Sequence, residues 1–159
     1  MSDFEQLVDR AVRHAKKTLH RQGELYPTWF VVAPNGDEAV EKTPWENPLQ
    51  KLVAIASLRF FLEAIRAQRF VMVCESWMVH AQSDADAEEI MASGISLEMR
   101  ADRVEVISIV GEDQNGEHLY GFIPMHRQGR TFRYDDLVRD SGVIKSNFAG
   151  MIRPAGPLQ

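Results

Sequence analysis

Apolar residues recur at spacings of three and four over residues 3–22, where Phe4, Leu7, Val8, Ala11, Val12, Ala15 and Leu19 fall on one face of an α-helix. Both ends of this helix are written locally. Ser2 with Glu5 makes a capping-box pattern, Lys16, Lys17 and Arg21 lie near the end, and Gly23 can supply a left-handed C-cap. Thr28 to Ala33 is aromatic and β-branched, Pro34-Asn35-Gly36-Asp37 is a turn signal, and the extended pattern continues from Glu38 to Thr43. Together these segments predict a β-hairpin. Pro44, Asn47 and Pro48 then close the strand and open a second helix, with Asn47 as N-cap and Pro48 at the first helical position.

The second helix, over residues 48–67, is apolar on two arcs. Leu49, Val53, Ala56 and Phe60 form one, and Ile55, Leu58, Leu62 and Ile65 form another on nearly the opposite side. A helix this apolar around its circumference needs cover on more than one side, by the sheet on one face and by the first helix or another subunit on the other. Strands are predicted at Phe70–His80, Arg103–Val110 and His118–His126, the last two joined at Asn115-Gly116. A crossover from the first hairpin into Phe70 would pair neighbouring strands in parallel. A short helix is expected over Asp84–Ala92, broken at Gly94, with a helical turn over Leu137–Val143 and a frayed tail over 154–159. The expected fold is α+β, a single domain spanning 1–159, with a mixed or mainly antiparallel sheet of about five strands and helices packed on one face.

Composition narrows the classes without choosing one. The 159 residues carry a net charge of -5, with 45% hydrophobic and 26% charged positions, as in ordinary globular domains. The single cysteine, Cys74, excludes an internal disulfide and a Cys-cluster zinc site, so a reducing, cytoplasmic setting is the expectation. Met1-Ser2-Asp3-Phe4-Glu5 is acidic where a secretory signal is basic, and no apolar run reaches the roughly 18 residues of a membrane span. The expectation is therefore no export signal and no membrane. An acidic chain also disfavours general nucleic-acid or anionic-lipid binding.

Candidate chemistry centres on Glu75. Strand alternation places it with Val71, Val73, Trp77 and Val79 on an otherwise apolar face, while Cys74, Ser76, Met78 and His80 occupy the other. Arg103, Glu105, Ile107 and Ile109 share a face of the next strand, so pairing can bring Glu75 beside Arg103 or Glu105. Such a carboxylate pair could serve as acid and base or hold a metal, with Arg103 as electrostatic partner; the alternative is a Glu75–Arg103 salt bridge. His80, on the opposite face of a regular strand, cannot share a metal with Glu75 without a bulge between them, and His14, His20, His118 and His126 lack ligand spacing. No metal site is expected. Cys74 has no basic neighbour in sequence and reads as an inert thiol. No nucleophile elbow, phosphate loop or dinucleotide fingerprint is present, so no cofactor is predicted. Arg127, Arg130 and Arg133, interleaved with Phe132 and Tyr134, could hold a phosphate backbone or form an ordinary solvated hairpin. Asp84, Asp86, Glu88 and Glu89 lack calcium-loop spacing and read as acids at a helix N-terminus.

The stretch Glu75-Ser76-Trp77-Met78 and the later Asp102-Arg103-Val104-Glu105 resemble a layout found in small uncharacterised bacterial and phage proteins. There a hairpin and a helix precede a strand carrying Glu-x-Trp-Met, followed by a strand that opens with an acidic-Arg-x-Glu pattern. The resemblance spans about residues 28–125 and implies layout, with no activity attached. With no strong catalytic motif present, the expected role is a non-enzymatic protein that self-associates through helix 48–67. The alternative is a hydrolase or nuclease built on Glu75, Arg103 and Glu105.

Overall fold

The local signals at the helix ends are realised in atomic detail. In a computed structural model, which describes residues 1–78, 83–94 and 101–139, Ser2 caps α1 (Asp3–Gln22) by accepting the Glu5 N–H, and Glu5 reaches back to the Ser2 N–H. Gly23 ends the helix at φ 77°, its N–H bonded to Leu19 O. Asn47 caps α2 (Pro48–Ala64) by accepting the Gln50 N–H at 2.8 Å. Ser83 does the same for α3 (Asp84–Ala92), accepting the Asp86 N–H at 3.0 Å. Each cap satisfies a helix-end donor that would otherwise lack an intrahelical partner.

The strands are β1 (Thr28–Val32), β2 (Glu38–Lys42), β3 (Arg69–Met78), β4 (Val104–Asp113), β5 (His118–Gln128), β6 (Thr131–Tyr134) and β7 (Val138–Arg139). They form one sheet in the order β2-β1-β3-β4-β5-β6, with β7 beside β5. Every pairing is antiparallel. The parallel crossover suggested by the sequence does not arise, because β1 rather than β2 lies beside β3. Among the described residues seven strands stand where about five were expected: β6 and β7 pair successively with β5, and Val138–Arg139 is extended where a helical turn was expected. The remainder of that expected turn, and the 154–159 tail, lie outside the described residues.

Helices cover both faces of the sheet, not one. Phe4, Leu7, Ala11, Ala15 and Leu19 of α1 pack on Phe30, Val71, Val73, Ile107, Ile109 and Ile123. On the other face, Ile55, Leu58 and Leu62 of α2 pack on Trp29, Val31, Phe70, Met72 and Val110. Alternation along β1, β3 and β4 makes both faces apolar, so each needs its own cover; a buried Leu, Ile or Phe side chain contributes roughly 1.5–3 kcal/mol. Close approach of α1 requires Gly111, where a Cβ would stand 3.0 Å from the Phe4 ring and from Phe70 O. A buried ion pair, Arg69 Nε to Asp113 Oδ2 at 2.7 Å, ties β3 to the end of β4, and Asp113 also accepts the Asn115 N–H at the turn.

Candidate functional site

Beyond the C-terminal end of α1, the sheet carries a cluster of opposed charges. Glu75 lies on the α1 face of β3, past Val73, and its Oε1 accepts the Leu25 N–H at 2.5 Å. Glu105, on β4, has both carboxylate oxygens on Arg127 of β5, with Nε to Oε2 at 2.7 Å and an NH2 to Oε1 at 2.5 Å. The same guanidinium reaches Glu75 Oε2 at 3.4 Å and donates to Gly23 O at 3.3 Å, while its plane lies 4.7 Å from the Phe132 ring centroid. Arg127 thus ties the end of α1 to β3, β4 and β6. Burial lifts the Glu75 carboxyl above its ordinary value; the Leu25 N–H opposes the shift, and neighbouring Glu105 adds to it. Tyr134 stacks on Phe132 with Lys16 Nζ 4.9 Å from its ring centroid.

Of the two neighbours that strand pairing offered Glu75, the structure brings up Glu105, and the cation beside the two carboxylates is Arg127. Glu75 lies opposite Ile107 and Trp77 opposite Glu105, so the carboxylates are diagonal neighbours on one face. Arg103 precedes the first residue of β4, too far along for Glu75, and stacks instead on Trp77 at 4.8 Å. Neither a Glu75–Arg103 salt bridge nor an Arg103-assisted carboxylate dyad forms. The oxygens that a hydrolase would offer to water or metal are engaged by Arg127 and Leu25, and no group of three or more His, Cys, Asp or Glu converges as a metal cage among the described residues.

The three arginines do not act as a unit. Arg127 pairs across the hairpin with Phe132 and faces Glu105, whereas Arg133 pairs with His126 on the other face and lies 3.6 Å from Asp135. Arg130 sits in the Gly129-Arg130 turn. His126 Nε2 is 2.9 Å from Asp135, holding that carboxyl below its ordinary value. Cys74 is buried, and burial pushes its thiol pKa up. His80 lies outside the described residues.

The second feature is on α2. The arc of Ile55, Leu58 and Leu62 is sealed against the sheet, but the arc of Leu49, Val53 and Phe60 is 70%, 58% and 75% exposed, and Leu52 beside it 53%. Phe61 extends the patch. The sequence pattern identified this second arc but not Leu52 or Phe61, which lie between the two arcs at positions that periodicity alone assigns to neither.

No protein-family model matches the chain, and no curated protein and no solved structure shows significant similarity to it. Among the described residues, no helix is long and apolar enough to cross a membrane.

Proposed function

We propose that the protein acts through protein–protein contact, assembling as a homo-oligomer through the outer arc of α2. The observation that carries this reading is the exposed row Leu49, Val53, Ala56 and Phe60 on a helix whose opposite arc is buried. Large apolar side chains exposed together, rather than singly, mark an interaction surface. Their four-three-four spacing is that of a coiled-coil seam, and it is self-complementary. When α2 packs antiparallel on its copy about a two-fold axis, Leu49 of each helix meets Phe60 of the other, while Val53 and Ala56 let the axes approach.

The sheet edge is a poorer route to assembly. Edge strand β2 presents Glu38, Glu41 and Lys42, charges that discourage pairing with another strand. The carboxylate cluster supports a structural role, since Arg127 pairs with both carboxylates and pins the end of α1.

Light scattering on the purified chain across micromolar concentrations tests the reading. The expected result is twice the chain mass, falling to the monomer in Val53→Glu and Phe60→Asp with an unchanged far-UV spectrum. A monomeric wild-type protein at the highest concentration overturns it.

A further inference from the structure

The outer face of α1 carries a charge pattern that its packing does not explain. Of the chain's 18 Lys and Arg, five fall within residues 10–21, a stretch with no Asp or Glu in a chain whose net charge is -5. Phe4, Leu7, Ala11, Ala15 and Leu19 turn to the sheet, so Arg10, Arg13, Lys17 and Arg21 stand exposed on the opposite side. The helical rise of about 1.5 Å per residue sets Arg13, Lys17 and Arg21 roughly 6 Å apart in a line along the axis.

Helix stability does not call for this arrangement. Complementing the helix dipole accounts for His20 and Arg21 in the last turn, but not for Arg10, Arg13 and Lys17 further back. Like charges four residues apart repel, and Arg13–Lys17 and Lys17–Arg21 are both such pairs. Arg10 is offset by Glu38 of β2 at 2.8 Å, and Lys16 lies over the Tyr134 ring. Among the described residues, Arg13, Lys17 and Arg21 pair with no carboxylate. His14 beside them is held below its ordinary value by burial first, and then by the ammonium groups of Lys42 and Lys17.

The ridge continues past the helix. α1 runs alongside β5, with Ser2 bonded to Glu117 at its start and Gly23 O bonded to Arg127 at its end. The turn between β5 and β6 therefore sets Arg130 beyond the C-terminal end of α1.

A line of cations this narrow fits one kind of polyanion. Asp9 lies toward the start of the helix and Glu24 just past its end, both exposed, so a broad anionic surface such as a membrane would meet these acids together with the arginines. An extended nucleic-acid strand can follow the line alone, with a charge at every nucleotide, and Arg matches phosphate oxygens in bidentate fashion. A duplex fits less well. With one side packed on the sheet, α1 shows only about half of its roughly 10–12 Å width, too little to fill a major groove about 8.5 Å deep.

We infer that the ridge of Arg13, Lys17 and Arg21 on α1, extended by Arg130, binds the phosphate backbone of single-stranded nucleic acid without regard to sequence. The net negative charge of the chain confines this binding to the ridge. Because α1 and α2 cover opposite faces of the sheet, the ridge stays open when copies meet through α2.

Fluorescence anisotropy of a labelled oligothymidylate, titrated with the full chain from about 20 mM salt upward, tests the assignment. The expected result is a dissociation constant of about 10–100 µM, with log affinity falling against log salt at a slope of about -2 to -3. Lys17→Gln should reduce the size of that slope by about 0.7. Lys17→Glu should weaken binding by about tenfold and yet raise the melting temperature, since it turns two repulsive pairs along the helix into attractive ones. Arg59→Gln, which removes the same charge from α2, should leave the affinity within about twofold. Absence of binding at about 1 mM chain, or a Lys17→Glu variant that binds as tightly as the wild type, overturns the inference. Tighter binding to a duplex of equal length, to polyglutamate or to phosphatidylserine vesicles overturns it as well.

Discussion

Two neutralising substitutions in the carboxylate cluster should move stability in opposite directions. Glu75 and Glu105 share one cation but not equally: Glu105 has both oxygens on Arg127, whereas Glu75 makes a single 3.4 Å contact with it. Glu75→Gln keeps a carbonyl oxygen for the Leu25 N–H, removes a charge whose burial is unfavourable, and ends its repulsion with Glu105. What it loses is a long ion pair of the kind worth about 0–1 kcal/mol. The expected net effect at pH 7 is between neutral and about 1 kcal/mol stabilising. Glu105→Gln instead removes the bidentate pair. Charge-assisted bonds contribute roughly 1.5–3 kcal/mol when sheltered, and with Arg127 44% exposed the loss is reduced to about 1–2 kcal/mol.

The pH dependence gives an independent check. Because the folded Glu75 carboxyl titrates above its unfolded value, the native state binds the extra proton between those two values. Its contribution to stability is therefore fully present below the ordinary carboxylate value and is lost as pH rises through the folded one. Glu75→Gln removes that loss, so its advantage over wild type should grow from about pH 4 to pH 7. Urea denaturation at fixed protein concentration, run at several pH values, measures both effects. A Glu75→Gln cost above about 1 kcal/mol at pH 7, or an advantage that grows on acidification, would refute the reasoning.

Gly111→Ala should cost about 1–3 kcal/mol by driving a methyl group against Phe4 and Phe70 O, read as a lower urea midpoint with unchanged slope. Asp113→Ala leaves Arg69, whose side chain is 12% exposed, without its short partner, and should cost about 3 kcal/mol in the same assay. Ser2→Ala removes both the α1 cap and the 2.8 Å bond to Glu117, and should cost about 1 kcal/mol, with faster amide exchange in the first turn of α1.

What the sequence disclosed follows from how far each signal reaches along the chain. The caps of α1 and α2 depend on residues three apart, and both were legible. So were the two arcs of α2, because helical periodicity shows that both are apolar; which arc meets the sheet is a tertiary matter. The choice between β1 and β2 as neighbour of β3 has no local signature, and that choice decides whether the sheet is mixed or antiparallel. β6 and β7 are short strands held by pairing with β5, too brief to carry a period of their own. The partner of Glu75 was hidden by a single residue of register. A two-residue Asn115-Gly116 loop would place Gln114 opposite Glu117 and carry Arg127 to the face away from Glu105. The actual loop spans Gln114, Asn115 and Gly116, with Asp113 N–H bonded to Glu117 O and Gly116 at φ 88°. That extra residue sets Val106 opposite Pro124 and returns Arg127 to the face of both carboxylates. The Pro34-Asn35-Gly36 loop of the first hairpin has the same form, with Ala33 N–H bonded to Asp37 O and Gly36 at φ 87°. In this chain, then, Asn-Gly marks a three-residue loop with a left-handed glycine in third place, and reading it so puts the carboxylate pair and its arginine on one face from sequence alone.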